Sequence, residues 1–399
     1  MSLPTITARI AFATGPLAVT PTWTDVSSYV RKVSIRRGRQ DELNRMEAGT
    51  ATVVLDNLDR RFDPTYTGGA YYGTVLPMRK INIRATWNAV TYDLFTGYIE
   101  SWPPSWQLDG DSSVTLPCVD GFTYFAHALL TLSVTSDGSG SQIKTSTRIL
   151  DSLSWPPLDQ SINAGDSVLQ AWTMTNETVL QRMQLITDSE NGFLWMATDG
   201  KIYFRERSYR LTHAASVTSQ ATFGDSGAEL PYSEIVPAFD DEFIYNDIHI
   251  TRAGGAEQVA SDATSQDSYF KRSLTKTGLL MTTDNEASDA ANWLLGQYKD
   301  PALRFRRVTI NPQYDPTNLW PQSLGRDFHD RITVKRRPPG GGNVITQDCF
   351  VEGIAHEFDA GPQTSWLTTW NLSPASSSSY WVLDDAILSI LDSTTKLVY

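Results

Sequence analysis

Through the first 120 residues the chain alternates between apolar and polar positions with a period of two. Ile81, Ile83, Ala85 and Trp87 alternate with Asn82, Arg84 and Thr86, and Ala51, Val53 and Leu55 with Thr50, Thr52 and Val54. Val114, Leu116 and Cys118 repeat the pattern. Period two puts every second side chain on one face, the mark of a half-buried strand. Asp56-Asn57, Thr67-Gly68-Gly69 and Asp109-Gly110 punctuate the runs, and Pro103-Pro104 interrupts after a strand-like Phe95 to Trp102. Short strands with regular turns predict a β-barrel or sandwich over residues 1–120.

The period then changes. Phe122, Phe125, Ala126 and Leu129 have helical spacing, and Thr145 is placed to cap a short helix carrying Ile149, Leu150 and Leu153. A longer helix is predicted from Asn176 to Glu190, with Val179, Met183 and Ile186 on one face and Asn191-Gly192 as its exit. Phe193 and Trp195 then lead through Asp199-Gly200 into Ile202 and Phe204, a hairpin by its turn residues. These elements define an α+β domain over 121–232. From Glu242 strands return, with Phe243, Tyr245, Ile248 and Ile250. Later strands are predicted at Val308 and Ile310, at Ile332 and Val334, from Phe350 to Phe358 and from Ser365 to Leu372. Thr283 and Glu286 have capping-box spacing ahead of an apolar stripe of Ala287, Ala291, Leu294 or Leu295, and Tyr298. The expected layout is a second β-domain over 233–275 and 302–375, a helical insertion at 276–301, and a Ser-rich linker with a docking tail at 376–399. Gly97 to Trp102 and Gly353 to Phe358 are each followed by an acidic Gly turn and an alternating strand, which suggests an internal repeat. The fold class is mainly β with an α+β insert.

Length and composition narrow the functional classes. A chain of 399 residues exceeds one ordinary core. With 33 Lys and Arg against 45 Asp and Glu, the net charge is −12, unsuited to wrapping duplex DNA. The aromatic share of 11% suits pleated surfaces and desolvated interfaces. Cys118 and Cys349 exclude a disulfide scaffold; each lies in a strand-like run and reads as a small buried side chain, with one mutual disulfide left open. No apolar run reaches the length of a membrane span, and no basic region opens an apolar leader at the N-terminus.

No catalytic constellation emerges. The histidines, His127, His213, His249, His329 and His356, include no i, i+4 pair, and read as core or surface residues. Gly138 to Ser141 is a loop rather than a nucleophile elbow, and Gly340-Gly341-Gly342 is a hairpin tip without the lysine of a phosphate loop. Asp56 to Asp59 lacks the glycine and distal glutamate of a calcium loop. The densest charge is Arg31, Lys32, Arg36, Arg37 and Arg39. That cluster reads as a nucleic-acid patch, as an interface to acidic neighbours, or as a charged strand edge that discourages stray pairing.

The segments Val33 to Arg39, Ala48 to Asn57 and Arg61-Phe62-Asp63-Pro64 resemble minor tail proteins of long-tailed, siphovirus-type actinobacterial phages. So do Tyr245-Asn246-Asp247, Asp289 to Leu295, Trp381 to Asp385 and Leu391 to Thr395. The resemblance implies a tail-tip baseplate hub: a homotrimeric ring of two related β-barrels per chain, joining a sixfold tube to a threefold tip around the DNA channel. It implies a virion protein made in the host cytoplasm, with no enzymatic activity, cofactor or stable membrane association. Its partners would be the distal tail or tail tube protein, the tape measure protein, and tip fibre or other minor tail proteins, with DNA passing only in transit. On this reading Arg36, Arg37 and Arg39 serve an interface. The alternative is a carbohydrate-binding receptor-recognition protein using Trp102, Trp106 and Trp155; a wall hydrolase is a third class.

Overall fold

A computed structural model describes residues 3–144, 148–361 and 364–375, with two-residue strands at Ser379–Tyr380 and Thr395–Lys396. The cap expected at Thr145 lies outside the described residues, as does the tail expected over 376–399 apart from those two strands. The molecule is mainly β, as the alternation requires. The first β-unit contains six principal strands: β1 (Thr5–Ile10), β2 (Val30–Gly38), β3 (Glu47–Asp56), β4 (Arg79–Trp87), β5 (Val90–Ile99) and β6 (Ser112–Val119). In β6 buried and half-buried positions alternate without exception, placing Val114, Leu116 and Cys118 in the core. The second unit contains β7 (Thr222–Gly224), β8 (Glu234–Ala238), β9 (Arg304–Ile310), β10 (Arg331–Arg336), β11 (Ile345–Asp359) and β12 (Ser365–Pro374).

The two units share one strand order. The first runs β1-β4-β5-β6-β3-β2 and the second β7-β10-β11-β12-β9-β8. Each is therefore first, fourth, fifth, sixth, third, second. All neighbours are antiparallel except β7 and β10, which run parallel. Both units also curl in the same way. Thr24–Asp25 pairs with β1 at one end of the order, and five residues later the same chain becomes β2 at the other end. Five residues span at most about 17 Å, so the two ends of the sheet must approach each other. Leu230–Pro231 makes the corresponding pairing with β7 just before β8. The hairpins singled out by their sequence echo lie at β5–β6 and β11–β12, the fifth and sixth strands of their units.

The units are fused edge to edge. β11 is 15 residues long; its first part pairs with β10, and from Gly353 to Asp359 it pairs with β2 of the first unit. Two large cores lie on either side of this junction, and Trp366 at its end joins the first.

The intervening α+β region holds α1 (Phe122–His127), α2 (Val179–Glu190) and the hairpin Phe193–Met196 with Ile202–Arg205. α2 ends at Asn191 in the left-handed conformation its sequence announced. Leu129, expected on a helix, instead opens a strand, Leu129–Val134, which pairs with Trp172–Thr178. Residues 247–279, expected within the second β-domain as far as 275 and in the helical insertion beyond it, form a separate three-stranded sheet covered by α3 (Asp284–Tyr298), with their own small core. The capping box of Thr283 and Glu286 at the start of α3 is present. The second unit begins at Thr222, eleven residues ahead of the expected start at 233, because β7 pairs with β10. A further helix, α4 (Pro316–Gly325), packs Trp320 against the first core; its internal Pro321 hid it from the pattern.

Candidate functional site

β2 carries the arginine cluster, and its alternation sends the side chains in opposite directions. Arg36 is exposed. Arg37 shares the inward face of Val33 and Ile35 and is buried. Its Nη2 donates to the Met196 carbonyl at 3.0 Å, its guanidinium lies 4.7 Å from the Phe328 ring centroid, and Asp327 is 3.6 Å away. Arg31, at the other end of β2, binds Asp111 and Asp56. β2 ends at Gly38, where φ is +94° and an added Cβ would stand 2.3 Å from the Glu352 carbonyl oxygen. Only glycine accepts both the conformation and the approach. The next N–H, that of Arg39, donates to this same carbonyl at 2.9 Å.

Glu352 marks the point where β11 exchanges one neighbour for another. Pairing with β10 ends at Phe350, pairing with β2 starts at Gly353, and the register against β12 slips between Val351 and Gly353. Such a bulge re-aims a side chain, and here it turns a carboxylate into the protein. Glu352 is fully buried. It accepts from Arg39 Nε at 2.8 Å, from Arg210 Nη2 at 2.6 Å and from the Ser373 hydroxyl. Burial alone would raise its pKa. Arg210 and Arg39 outweigh burial and hold the carboxyl below the usual range, so it is ionised.

Arg210 completes the cluster. It is stacked near Phe193 and Phe350, 4.8 and 4.4 Å from the ring centroids. It also donates to His329 Nδ1 from Nε at 3.0 Å, which leaves the imidazole proton on Nε2. Burial, reinforced by Arg210, pushes the His329 pKa far below its usual value, so the ring is neutral. His329 Nε2 is buried without a hydrogen-bond partner among the described residues. A cavity of about 880 Å3 opens beside the cluster, lined by Arg39, Glu42, Arg45, Asp188, Lys276 and Arg304 among others. Arg45 pairs with Asp188 and Arg304 with Glu42 across it.

The chemistry of this arrangement is cohesive. The ions face one another, and the cluster ties β2, β11, β12 and the α+β region together. Arg37 and Arg39 are thus engaged within the chain, and Arg36 alone of the three stands exposed. Among the described residues no group of three or more His, Cys, Asp or Glu side chains is placed to hold a metal ion, and no helix is long and apolar enough to cross a membrane. His356 is buried and bonded to Thr368 Oγ1 at 3.0 Å. Cys118 and Cys349 are free and buried, not disulfide-linked. Of the three tryptophans considered for sugar, Trp102 and Trp155 are buried and donate to the carbonyls of Leu76 and Asp159, and only Trp106 is exposed. Two residues at the centre of the ion cluster, Glu352 and Arg210, were not singled out from sequence. A glutamate followed by glycine inside an apolar strand run is the signal that marks Glu352; Arg210 has none.

Solved structures share this whole architecture. A tail protein from Neisseria meningitidis MC58 superposes with a TM-score of 0.61 at 14% identity, over 93% of this chain and 96% of its own. The 43 kDa tail protein of prophage MuSo2 from Shewanella oneidensis gives 0.57 at 12% identity, over 93% and 97%. The chain has the fold of phage tail proteins. The tail-protein fold also aligns with the Francisella PdpA–VgrG complex in its lidded form, at a TM-score of 0.51 and 8% identity, over 92% of this chain and 52% of that one. No protein-family model and no curated protein matches the sequence.

Proposed function

We propose that the protein is a structural virion component, a homotrimeric hub at the phage tail tip that joins the sixfold tube to the threefold tip and lines part of the DNA channel. The observation that carries this reading is the repetition of one strand order within a single chain. Three copies of a chain with two like units present six like units, which reconciles a sixfold neighbour with a threefold one. The buried Arg39–Glu352–Arg210 cluster suits such a part, because it fixes the two units relative to each other. The hub would contact the distal tail or tube protein above, the tape measure protein, and tip fibre or other minor tail proteins below. DNA would pass in transit, the role needs no catalytic group, and the residue pattern of β2 and β3 points to long-tailed actinobacterial phages as the source. Arg36, exposed on β2, is the one of Arg36, Arg37 and Arg39 that stands open to a neighbour. Electron cryomicroscopy of intact tails tests this: density for three copies around the tail axis, each contributing both β-units to one ring, is the expected result. A single copy off the axis would overturn it.

A further inference from the structure

The repeat carries a residue-level consequence. In the first unit, Ile35, Ala51, Cys118 and Ile99 are successive cross-strand partners on β2, β3, β6 and β5. In the second, Ile235, Val308, Trp370 and Ile354 occupy the same row on β8, β9, β12 and β11. Both rows face a core, and matching them strand for strand shifts by one residue the alignment of the sequence echo, in which Gly97 meets Gly353. Ile35 corresponds to Ile235, and Ile99 to Ile354.

Within the chain, the fifth strand of the second unit pairs with the second strand of the first, placing Ala355 opposite Arg36 and His356 opposite Ile35. Among the described residues the reciprocal contact, fifth strand of the first unit with second strand of the second, is not made. Both of its edges are open among the described residues. Among the described residues β8 has one neighbour, β9, and it carries Pro237, a residue sheets tolerate at an edge. Just beyond β8, Phe239 is 70% exposed. On the other side, the chain leaving β5 continues through Glu100 and Ser101, both exposed. Glu100 N–H bonds the Pro117 carbonyl of β6 at 2.9 Å, so the alternation of the backbone turns the main-chain groups of Ser101 the opposite way, to the open side. Trp106, 60% exposed, follows on the same segment.

We propose that a second copy of this chain supplies the missing partner: the segment from Glu100 of one copy lies antiparallel against the free edge of β8 in the next, with Glu100 opposite Val236 and Ser101 opposite Ile235. This rests on the ring reading above and names the strands that close the ring. The contact is short, because β4 already covers β5 as far as Ile99 and Pro103-Pro104 ends the run of available N–H groups.

Cysteine pairing tests it in the full-length chain. Opposed residues on neighbouring antiparallel strands bring Cβ atoms to about 4.5–5.5 Å, near enough for a disulfide after small adjustment. Cys118 and Cys349 are buried and stay out of the reaction. Glu100→Cys mixed with Val236→Cys should give a disulfide-linked dimer on non-reducing gels that neither variant gives alone, and the double variant should give a linked trimer. Native mass measurement and circular dichroism run beside the gels establish copy number and folding. A trimer that forms without the mixed crosslink would overturn the strand assignment and leave the ring intact. Folded chains that stay monomeric at high concentration and show no crosslink would overturn the assignment together with self-assembly of the ring. Crosslinking of Glu100→Cys to itself would place a different face at the contact and likewise overturn the assignment.

Discussion

Replacing Glu352 by alanine removes the one anion that Arg39 and Arg210 share. The carboxylate is fully buried, and the two arginine side chains keep only 10% and 16% of their exposure. Deleting one partner of a buried ion pair leaves the other charge uncompensated and costs about 3–5 kcal/mol. Here two guanidiniums lose their partner, but both retain other contacts: Arg39 donates to the Asn44 carbonyl at 3.0 Å, and Arg210 to His329. The loss should therefore fall toward the lower end, about 3–4 kcal/mol. Glu352→Gln keeps the shape and one acceptor and should cost about 2 kcal/mol, the scale of a hydrogen bond to a charged group. Urea titration followed by tryptophan fluorescence reads the effect directly, since Trp195 packs 5.2 Å from the His329 ring. A combined Glu352→Met, Arg39→Met and Arg210→Met variant should recover much of the loss, because the desolvation cost of all three charges disappears with them. If Glu352→Ala shifts stability by less than about 1 kcal/mol, an ordinary surface-scale effect, the claim that this cluster holds the two β-units together is wrong.

Other predictions address the same junction and its surroundings. Gly38→Ala should lower the melting temperature sharply or abolish soluble expression, because its Cβ would meet the Glu352 carbonyl in a backbone conformation alanine avoids; a melt unchanged from the parent would refute the close approach. Arg36→Glu should leave the circular dichroism melt of the isolated chain intact while blocking tail assembly, whereas Arg37→Glu should unfold the chain, since it buries a carboxylate against the Met196 carbonyl. Asp120 is buried and accepts N–H bonds from Gly49 and Phe122; burial outweighs them and raises its pKa to about 7. The folded chain thus holds a proton that the unfolded chain releases near pH 4, so this group's contribution to stability falls as pH climbs from about 4 to about 7. Asp120→Asn should flatten that slope in urea midpoints measured across the range. Glu352 has the opposite sign: its folded pKa is depressed, so its contribution is present above the unfolded value and lost on acidification below about pH 4.

Local features were legible in the sequence because their causes are local. The capping box at Thr283 needs only residues 283–286, and the Asp199-Gly200 turn only the hairpin that contains it. The alternation at Ala51, Val53 and Leu55 became buried positions of β3 because one face of that strand meets the core. What the pattern left open was which strands meet. Period two at Ile248 and Ile250 says that a strand has a buried face, not that the face belongs to a separate three-stranded sheet. Leu129 has helical spacing from Phe122, yet pairing with Thr178 takes it into a strand. The arginine cluster shows the same limit. Arg36, Arg37 and Arg39 look alike in sequence, and their fates diverge because Glu352, 313 positions from Arg39, arrives on a strand edge that no local pattern specifies.

The two like units also explain why one junction is locked and the other is left open. Two residues before Ile354 the bulge of β11 adds Glu352, which has no partner on β12, whereas two residues before Ile99 stands Gly97. Gly97 admits no side chain, since a Cβ there would stand 2.3 Å from the Val119 carbonyl oxygen. Counting forward from Ile35 and Ile235 reaches Arg39 and Phe239. The buried Arg–Glu pair of the internal junction therefore has no equivalent at the position proposed between copies, where an exposed phenylalanine stands and no carboxylate is inserted. The internal contact also has seven register pairs, while the external one ends within a few residues at Pro103-Pro104. A contact that forms once, as the chain folds, tolerates buried charge, because the ions are desolvated together with the closing of the core. A contact that must wait for another copy cannot leave two guanidiniums and a carboxylate exposed to water and then strip them at assembly without a desolvation penalty on each. In the proposed ring, placing the ion cluster in the internal junction and keeping it out of the external one would let each chain fold alone and still present a strand edge to its neighbour.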